Sequence, residues 1–377
     1  MNKNWTYVPF TDVFEWCKKS NIGSRDAVEN GKYKLFVASA TEIKRYDTFL
    51  ESGERLVFGT GGNPCIHYVN EEFSYTNHTE CAKPKNENVF VKFYYYYFQK
   101  DKYKDLQSTF VGGGIKNSSK KKIGVLLVPQ LDYDEQKHVV SKIEELFSEL
   151  DNGVETLKKT KQQLAVYRQA VLKEAFERCK KLSPIREMST LVTSGSRGWA
   201  KYYAPQGAKF IRIGNLTRDS IDIDFSDTQY VDLPDKAEGL RSKLQPNDVL
   251  VSITADLGSI GLVPNNIGEA YINQHIAVVR FKNSAQGKFM AWYLRSDWGQ
   301  KDLLKNKRGA GKLGLGLDDI RDSRVPMVSD EEADAVLDII ESRLSVCDSI
   351  EETVDTALQQ AEAMRQSILK KAFEGEL

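Results

Sequence analysis

Cysteine is scarce in this 377-residue chain, with only Cys17, Cys65, Cys81, Cys179 and Cys347. They are odd in number, scattered and free of any C-x-x-C pair. That argues against a disulfide framework or structural zinc and fits a reduced cytoplasm. The four histidines, His67, His78, His138 and His275, lack metal-ligand spacing such as H-E-x-x-H. Long apolar runs are missing too: stretches such as Ile123 to Val128 are far too short to span a bilayer. The opening Met1-Asn2-Lys3-Asn4-Trp5 has no basic region followed by an apolar core, so no export signal is expected.

Signatures of catalysis are equally absent. There is no Asn-Pro-Pro-aromatic motif for amino methylation. Gly59-Thr60-Gly61-Gly62-Asn63-Pro64 comes nearest but lacks the second proline and the aromatic residue, and it reads as a turn. Gly309-Ala310-Gly311-Lys312 resembles the end of a phosphate loop, yet Asn306 replaces its first glycine and Leu313 its Ser/Thr. No G-x-S-x-G nucleophile motif occurs. The chain therefore receives no catalytic residue, no metal and no cofactor of its own.

Net charge is also lacking, with 53 basic and 53 acidic residues, but its distribution is uneven. Residues 1–127 hold 19 basic and 14 acidic residues, and residues 183–324 hold 20 and 16. Residues 128–182 balance at 10 each, whereas 325–377 hold 4 basic and 13 acidic residues. Two basic segments beside an acidic tail suit one polyanionic partner and one that is not. Excesses of this size also occur on ordinary solvated surfaces.

What the chain does have is an internal repeat. Val128 to Glu177 recurs without a gap as Val325 to Glu374, at an offset of 197. The offset pairs Pro129 with Pro326, Ile143-Glu144 with Ile340-Glu341, Arg168-Gln169 with Arg365-Gln366, and Ala175-Phe176-Glu177 with Ala372-Phe373-Glu374. Such a period fixes architecture before any local motif.

Each copy reads as one long helix. Asp132 stands three places before Glu135, and Ser329 three before Glu332, the spacing of a reciprocal N-terminal cap. Apolar residues then recur at 3–4 spacing: Val140, Ile143, Phe147, Leu150, Val154, Leu157, Leu164, Val171 and Ala175 in the first copy. The second has Leu337, Ile340, Leu344, Cys347, Val354, Leu358, Ala361, Ile368 and Ala372. Lys161 and Arg168 interrupt the first seam, Glu351 and Arg365 the second. This is a coiled-coil seam over several heptads. It would also serve an amphipathic helix lying on its own domain, but two matched seams offer each other a partner.

The segments before the helices read as mixed and β-rich. Candidate strands in the first are Lys34 to Ala38, Arg55 to Phe58 and the aromatic run Phe90 to Phe98. That run could stack bases, but a core-filling role, or a helix against the core, fits better. In the second, Lys209 to Ile213 and Val249 to Thr254 follow the same order. Asn77-His78 and Gln274-His275 are again 197 apart.

The helix copies, with Glu135-Gln136-Lys137, Lys142 to Phe147 and the closing Arg365 to Phe373, resemble the DNA specificity subunits of type I restriction-modification enzymes. So do Thr193 to Trp199 and Phe210 to Leu216 in the second globular segment. The resemblance covers nearly the whole chain. It implies an α+β fold with a pseudo-two-fold repeat. Two mixed α/β target recognition domains (1–127 and 183–324) are joined by a central helix (128–182) and a C-terminal helix (325–377). The helices pair as an intramolecular antiparallel coiled coil. It further implies a non-catalytic subunit that reads a bipartite, asymmetric site on double-stranded DNA. Such a subunit docks two methyltransferase subunits using S-adenosylmethionine, and restriction/translocase subunits using ATP and Mg can join.

Within that expectation, base reading needs Arg or Lys for guanine, Asn or Gln for adenine, and apolar contact for thymine. The candidates in the first domain are Lys44, Arg45, Thr60, Asn63, Asn77, His78, Lys116, Asn117, Lys120, Lys121 and Lys122. The lysine run is better suited to phosphate. In the second domain they are Ser196, Arg197, Trp199, Lys201, Tyr202, Asn215, Thr217, Arg218, Gln274, His275, Lys307, Arg308 and Lys312. The duplicated pairs at 77–78 and 274–275 equally suit satisfying backbone groups. Arg168, Phe176, Arg365 and Phe373, which the repeat pairs, are expected to face the methyltransferase subunits, with the acidic surface of the last helix tolerated. A stand-alone nuclease or methyltransferase would instead show activity from this chain alone. A coiled-coil scaffold would show no salt-dependent duplex binding.

Overall fold

Pro129 and Pro326 delay helix formation, and a few residues beyond each the chain coils into one uninterrupted helix. The helices span Tyr133–Phe176 and Asp330–Glu374, 44 and 45 residues, so each is roughly 66 Å long at 1.5 Å per residue. At the second helix the expected cap forms: Ser329 N donates to Glu332 Oε2 at 2.9 Å, and Glu332 N to Ser329 Oγ at 3.2 Å. At the first, the buried Gln136 does the anchoring: Phe90 N donates to its Oε1 at 2.8 Å, and its Nε2 donates to Leu131 O at 2.8 Å. The computed structural model describes residues 5–195, 197–234, 240–305, 307 and 313–377.

The chain folds into two compact units, Met1–Lys159 with Val354–Leu377, and Thr160–Thr353. These bounds differ from the four segments expected, because each long helix contributes one part to each unit. In the first unit the helix buries Val140, Ile143 and Phe147; in the second it buries Leu164, Val171, Leu172 and Phe176.

Each unit pairs its two helix parts antiparallel. In the second unit Lys161 meets Glu351, Arg168 meets Asp348 and Glu351, and Glu174 meets Arg343. Numbers rise along one helix as they fall along the other. In the first unit Arg365 pairs with Asp151, with its guanidinium carbon 4.2 Å from the Phe147 ring centroid. All four residues that broke the apolar seams thus have ionic partners on the facing helix: Lys161 and Arg168 meet Glu351, and Arg365 meets Asp151.

The globular part of the first unit holds an antiparallel sheet of order Phe14–Trp16, Thr79–Pro84, Glu54–Gly59, Cys65–Asn70. A second sheet has order Ile43–Tyr46, Tyr33–Phe36, Phe73–Tyr75, its last two strands parallel. The second unit repeats this plan. Its antiparallel sheet runs Ser189–Ser194, Ile276–Phe281, Val249–Ser252, Ile260–Leu262. Its other sheet runs Tyr203–Ala204, Gln229–Val231, Ala208–Ile211, Ala270–Ile272, again with a parallel last pair. A two-stranded ribbon accompanies each: Thr6–Pro9 with Leu127–Gln130, and Leu182–Pro184 with Arg324–Pro326.

Of the two forms open to the aromatic run, a strand or a helix against the core, the helix is the one that forms. The aromatic run forms the helix Val91–Gln99, burying Val91, Phe93, Tyr94, Tyr97 and Phe98. Tyrosine and phenylalanine favour strands in isolation, but here 3–4 spacing places Phe93 and Tyr97 together on Phe373, at centroid distances of 5.3 and 5.4 Å. The run fills a core and offers no stacking platform. Its counterpart Gly287–Arg295 sets Phe289 and Tyr293 on Phe176 at 5.4 and 5.3 Å.

Candidate nucleic-acid interface

The strand Glu54–Gly59 ends at Thr60, where three loops meet. Thr60 donates to His78 O through both its backbone N (2.9 Å) and Oγ1 (2.8 Å). Ser118 N donates to Thr60 O at 2.8 Å, and Gly62 N to Lys116 O at 3.0 Å. Thr60, Asn63, Asn77, His78, Lys116 and Asn117, which lie far apart in sequence, are therefore gathered at one end of this unit. Asn63, Asn77, His78, Lys116 and Asn117 are exposed, while Thr60 is buried and works as a tie. Lys120–Gly124 is a short helix directly after the third loop, with Lys120 and Lys121 exposed and Lys122 half-buried. Lys44 and Arg45 lie on the outer strand of the other sheet, their side chains engaged by backbone carbonyls. There Lys44 Nζ donates to Ser24 O at 3.1 Å and Arg45 Nη1 to Lys32 O at 3.3 Å.

The second unit gathers the corresponding loops. Ile253 N donates to His275 O at 2.9 Å, and Leu315 N to Ile253 O at 2.9 Å. Thr254 pairs with Gly314 as an isolated bridge. The duplicated polar pair performs one backbone task in both units, since the carbonyls of His78 and His275 each receive the end of the strand. The side chains differ. His78 is exposed, whereas Thr254 Oγ1 lies 2.5 Å from His275 Nδ1 and Gln274 Nε2 lies 2.9 Å from His275 Nε2.

Several candidates of the second domain are structural. Trp199 is buried, stacked on Phe210 at 5.5 Å and edge-on to Tyr271 at 5.3 Å, so it forms a small core and cannot meet a base. Asn215 is buried with its amide spent: Oδ1 accepts from Arg212 N at 2.8 Å and Nδ2 donates to Asp224 O at 2.8 Å. Arg218 is exposed but engaged, with Nε donating to Asp256 Oδ1 at 2.8 Å and Nη2 to Leu257 O at 3.0 Å. That guanidinium, partly opposed by burial and helped by Ser259, holds the Asp256 carboxyl below the usual range. Thr217 Oγ1 accepts from Ser220 N at 3.4 Å. Arg197, Lys201 and Lys307 are exposed and Tyr202 is half-buried, with Lys201 Nζ 4.8 Å from its ring centroid. Ser196, Arg308 and Lys312 lie outside the described residues.

The four positions expected to face partner subunits are consumed internally. Phe373 meets Trp5, Phe93 and Tyr97 and is 2% exposed; Phe176 meets Phe289 and Tyr293 and is 3% exposed. Arg168 donates to Asp348 (2.6 Å) and Glu351 (2.9 Å), and Arg365 to Asp151. The repeat pairs these positions because each unit uses them to lock helix to helix and helix to globular core. Sequence reasoning missed Val111 and Ile115, apolar and exposed beside the first loop cluster. The glycine run Gly112-Gly113-Gly114 was the signal available.

Among the described residues no group of three or more His, Cys, Asp or Glu is placed to hold a metal. No helix among them is long and apolar enough to cross a membrane. The model for the type I restriction modification DNA specificity domain matches residues 2–165 and 186–360. The chain belongs to this family. As a type I specificity subunit it is similar to the type I restriction enzyme EcoBI specificity subunit of Escherichia coli, 25% identical over 356 residues, or 86% of this chain and 74% of that protein. The StySPI specificity subunit of Salmonella potsdam is 23% identical over 380 residues, covering 93% and 81%. Among solved structures, a chain from work on assembly and conformational transition of the type I R-M system aligns with a TM-score of 0.76 at 15% identity, covering 100% of this chain and 99% of that one. The HsdS subunit from Thermoanaerobacter tengcongensis aligns with a TM-score of 0.52 at 16% identity, covering 100% and 98%. At such identities these two likenesses bear on the fold alone.

Proposed function

We propose that this chain is the non-catalytic DNA-reading subunit of a type I complex in the cytoplasm, and that each globular segment reads one half of a bipartite, asymmetric site. The observation that carries this is the gathering, in both units, of corresponding loops at the end of the Thr60 and Thr254 strands. Loops on a rigid sheet can vary without cost to the core, as base reading requires. The exposed lysines beside the first cluster supply phosphate contacts that position the duplex and make binding salt-dependent.

The chemistry lies in partners: two methyltransferase subunits that use S-adenosylmethionine, and restriction/translocase subunits that use ATP and Mg. With Arg168, Phe176, Arg365 and Phe373 spent inside the chain, docking falls to helix positions left open. Tyr167 and Met364 are 47% and 54% exposed and are themselves related by the 197 offset. A complex of this chain with its methyltransferase subunit should methylate adenines within one split motif only. Exchanging residues 1–127 and 183–324 for those of a relative should change that motif. Methylation that persisted unchanged after the exchange would overturn the reading.

A further inference from the structure

The loop from Val111 to Asn117 closes on itself. Val111 N donates to Asn117 O at 3.0 Å, and Asn117 N returns to Val111 O at 2.9 Å. Asn117 Nδ2 donates to Ile115 O at 3.0 Å inside the loop. The base of the loop is pinned to the Thr60 strand end by the Gly62–Lys116 and Thr60–Ser118 bonds and the Gly61–Asn117 bridge. Its tip is free: a side chain at Gly113 or Gly114 would meet nothing within 4 Å. Gly112 alone is needed for its geometry, with φ +141 and Ile115 O 2.9 Å from where a Cβ would stand.

On this polar, basic edge the chain displays two aliphatic side chains. Ile115 is 78% exposed and Val111 is 57% exposed, with the exposed Lys116 next to them and Lys120 and Lys121 just beyond. Neither contributes to a core cluster of this unit. Single exposed aliphatics are common, but Ile115 near the tip and Val111 at the neck of one loop pinned among candidate base-reading residues have a chemical use. Thymine is the one base that offers a methyl group in the major groove, and aliphatic side chains are its natural contact.

We propose that Ile115, backed by Val111, reads a thymine methyl group in the half-site contacted by the first unit. The inference rests on the DNA-reading function proposed above. An apolar wedge forced between base pairs is the competing use of such a residue. Unstacking a base step takes a rigid support, because it costs a few kcal/mol. A tip of open glycines yields under that load, yet settles readily against a methyl group.

The test uses the complete methyltransferase complex and a duplex carrying its mapped recognition sequence. Each thymine is replaced in turn by uracil, which keeps the base pair and removes only the methyl. For one thymine, uracil should weaken wild-type binding about fourfold, the value of one buried methyl. The I115A complex should bind thymine and uracil duplexes equally there and keep its uracil responses elsewhere. V111A should show a smaller change of the same kind. Both side chains are solvent-facing, so folding should be unaffected, checked by an unchanged Tm. If no uracil weakens wild-type binding, or I115A keeps every uracil response, the proposal is overturned. I115A weakening all duplexes while the wild type ignores uracil would indicate a wedge and also overturn it. Absence of any sequence-specific binding by the wild type would instead defeat the DNA-reading function itself.

Discussion

The two units follow one plan with different surfaces. In the first, the strand-end loops present exposed Asn63, Asn77, His78, Lys116 and Asn117. In the second, His275 is tied up by Thr254 and Gln274, Arg218 by Asp256, and Asn215 by its own turn. The helix contacts differ as well. Tyr96 Oη donates to Glu144 at 3.3 Å in the first unit, whereas Trp292 Nε1 and Arg295 Nε in the second are buried without a hydrogen-bond partner. A doubled chain thus keeps the contacts that set its skeleton and lets the loops diverge. Packing tolerates few solutions, but solvent-facing loops tolerate many.

The largest effects should come from the skeleton. Phe373→Ala removes a ring that meets three aromatic neighbours, and Phe176→Ala one that meets two. Urea unfolding should show losses of about 3–5 kcal/mol, larger for Phe373. Equal, negligible losses would mean these rings are not the locks of their units. Trp199→Ala should destabilise the second unit by about 3 kcal/mol or more, and Trp199→Phe much less. A Trp199→Phe protein of normal stability that lost DNA binding would return Trp199 to the interface.

The interhelix arginines should rank below these. Arg168 meets two carboxylates and its side chain is 17% exposed; Arg365 meets one and is 30% exposed. Arg168→Met should cost about 1–2 kcal/mol and Arg365→Met under about 1. The reverse order would break the comparison.

The smallest effect is a pH dependence. Burial lowers the His67 pKa below its usual 6.5, only partly offset by the bond between its Nε2 and Ser39 O at 2.8 Å. The unfolded chain then binds the proton more readily, so the contribution is fully present above about pH 6.5 and is lost as pH falls toward the folded value. Unfolding midpoints from pH 7 to 5 should fall more steeply for the wild type than for His67→Gln. Parallel curves would show that His67 does not titrate with folding.

Much of this protein was legible as pattern. The 197 offset, the apolar seams and the Ser329–Glu332 cap specify two long helices, because helical period and capping are local properties of the chain. The aromatic run was misleading as a strand candidate. Its residues favour strands locally, and packing against distant rings, Phe10, Phe14 and Phe58 and the far-off Phe373, makes them a helix face. Base-reading candidates were legible as loops but not as exposed groups. Whether Asn215 or Trp199 faces solvent depends on Arg212, Asp224, Phe210 and Tyr271 folding around them.

Sequence alone thus determined the doubling, the helices and the family. Tertiary structure decided which side chains remain available. It buried Phe176 and Phe373, engaged Arg168 and Arg365 in ion pairs between the helices, and left Ile115 standing in solvent. The reason is that periodicity reports which face of an element is apolar, while availability depends on what distant parts of the chain bring to that face.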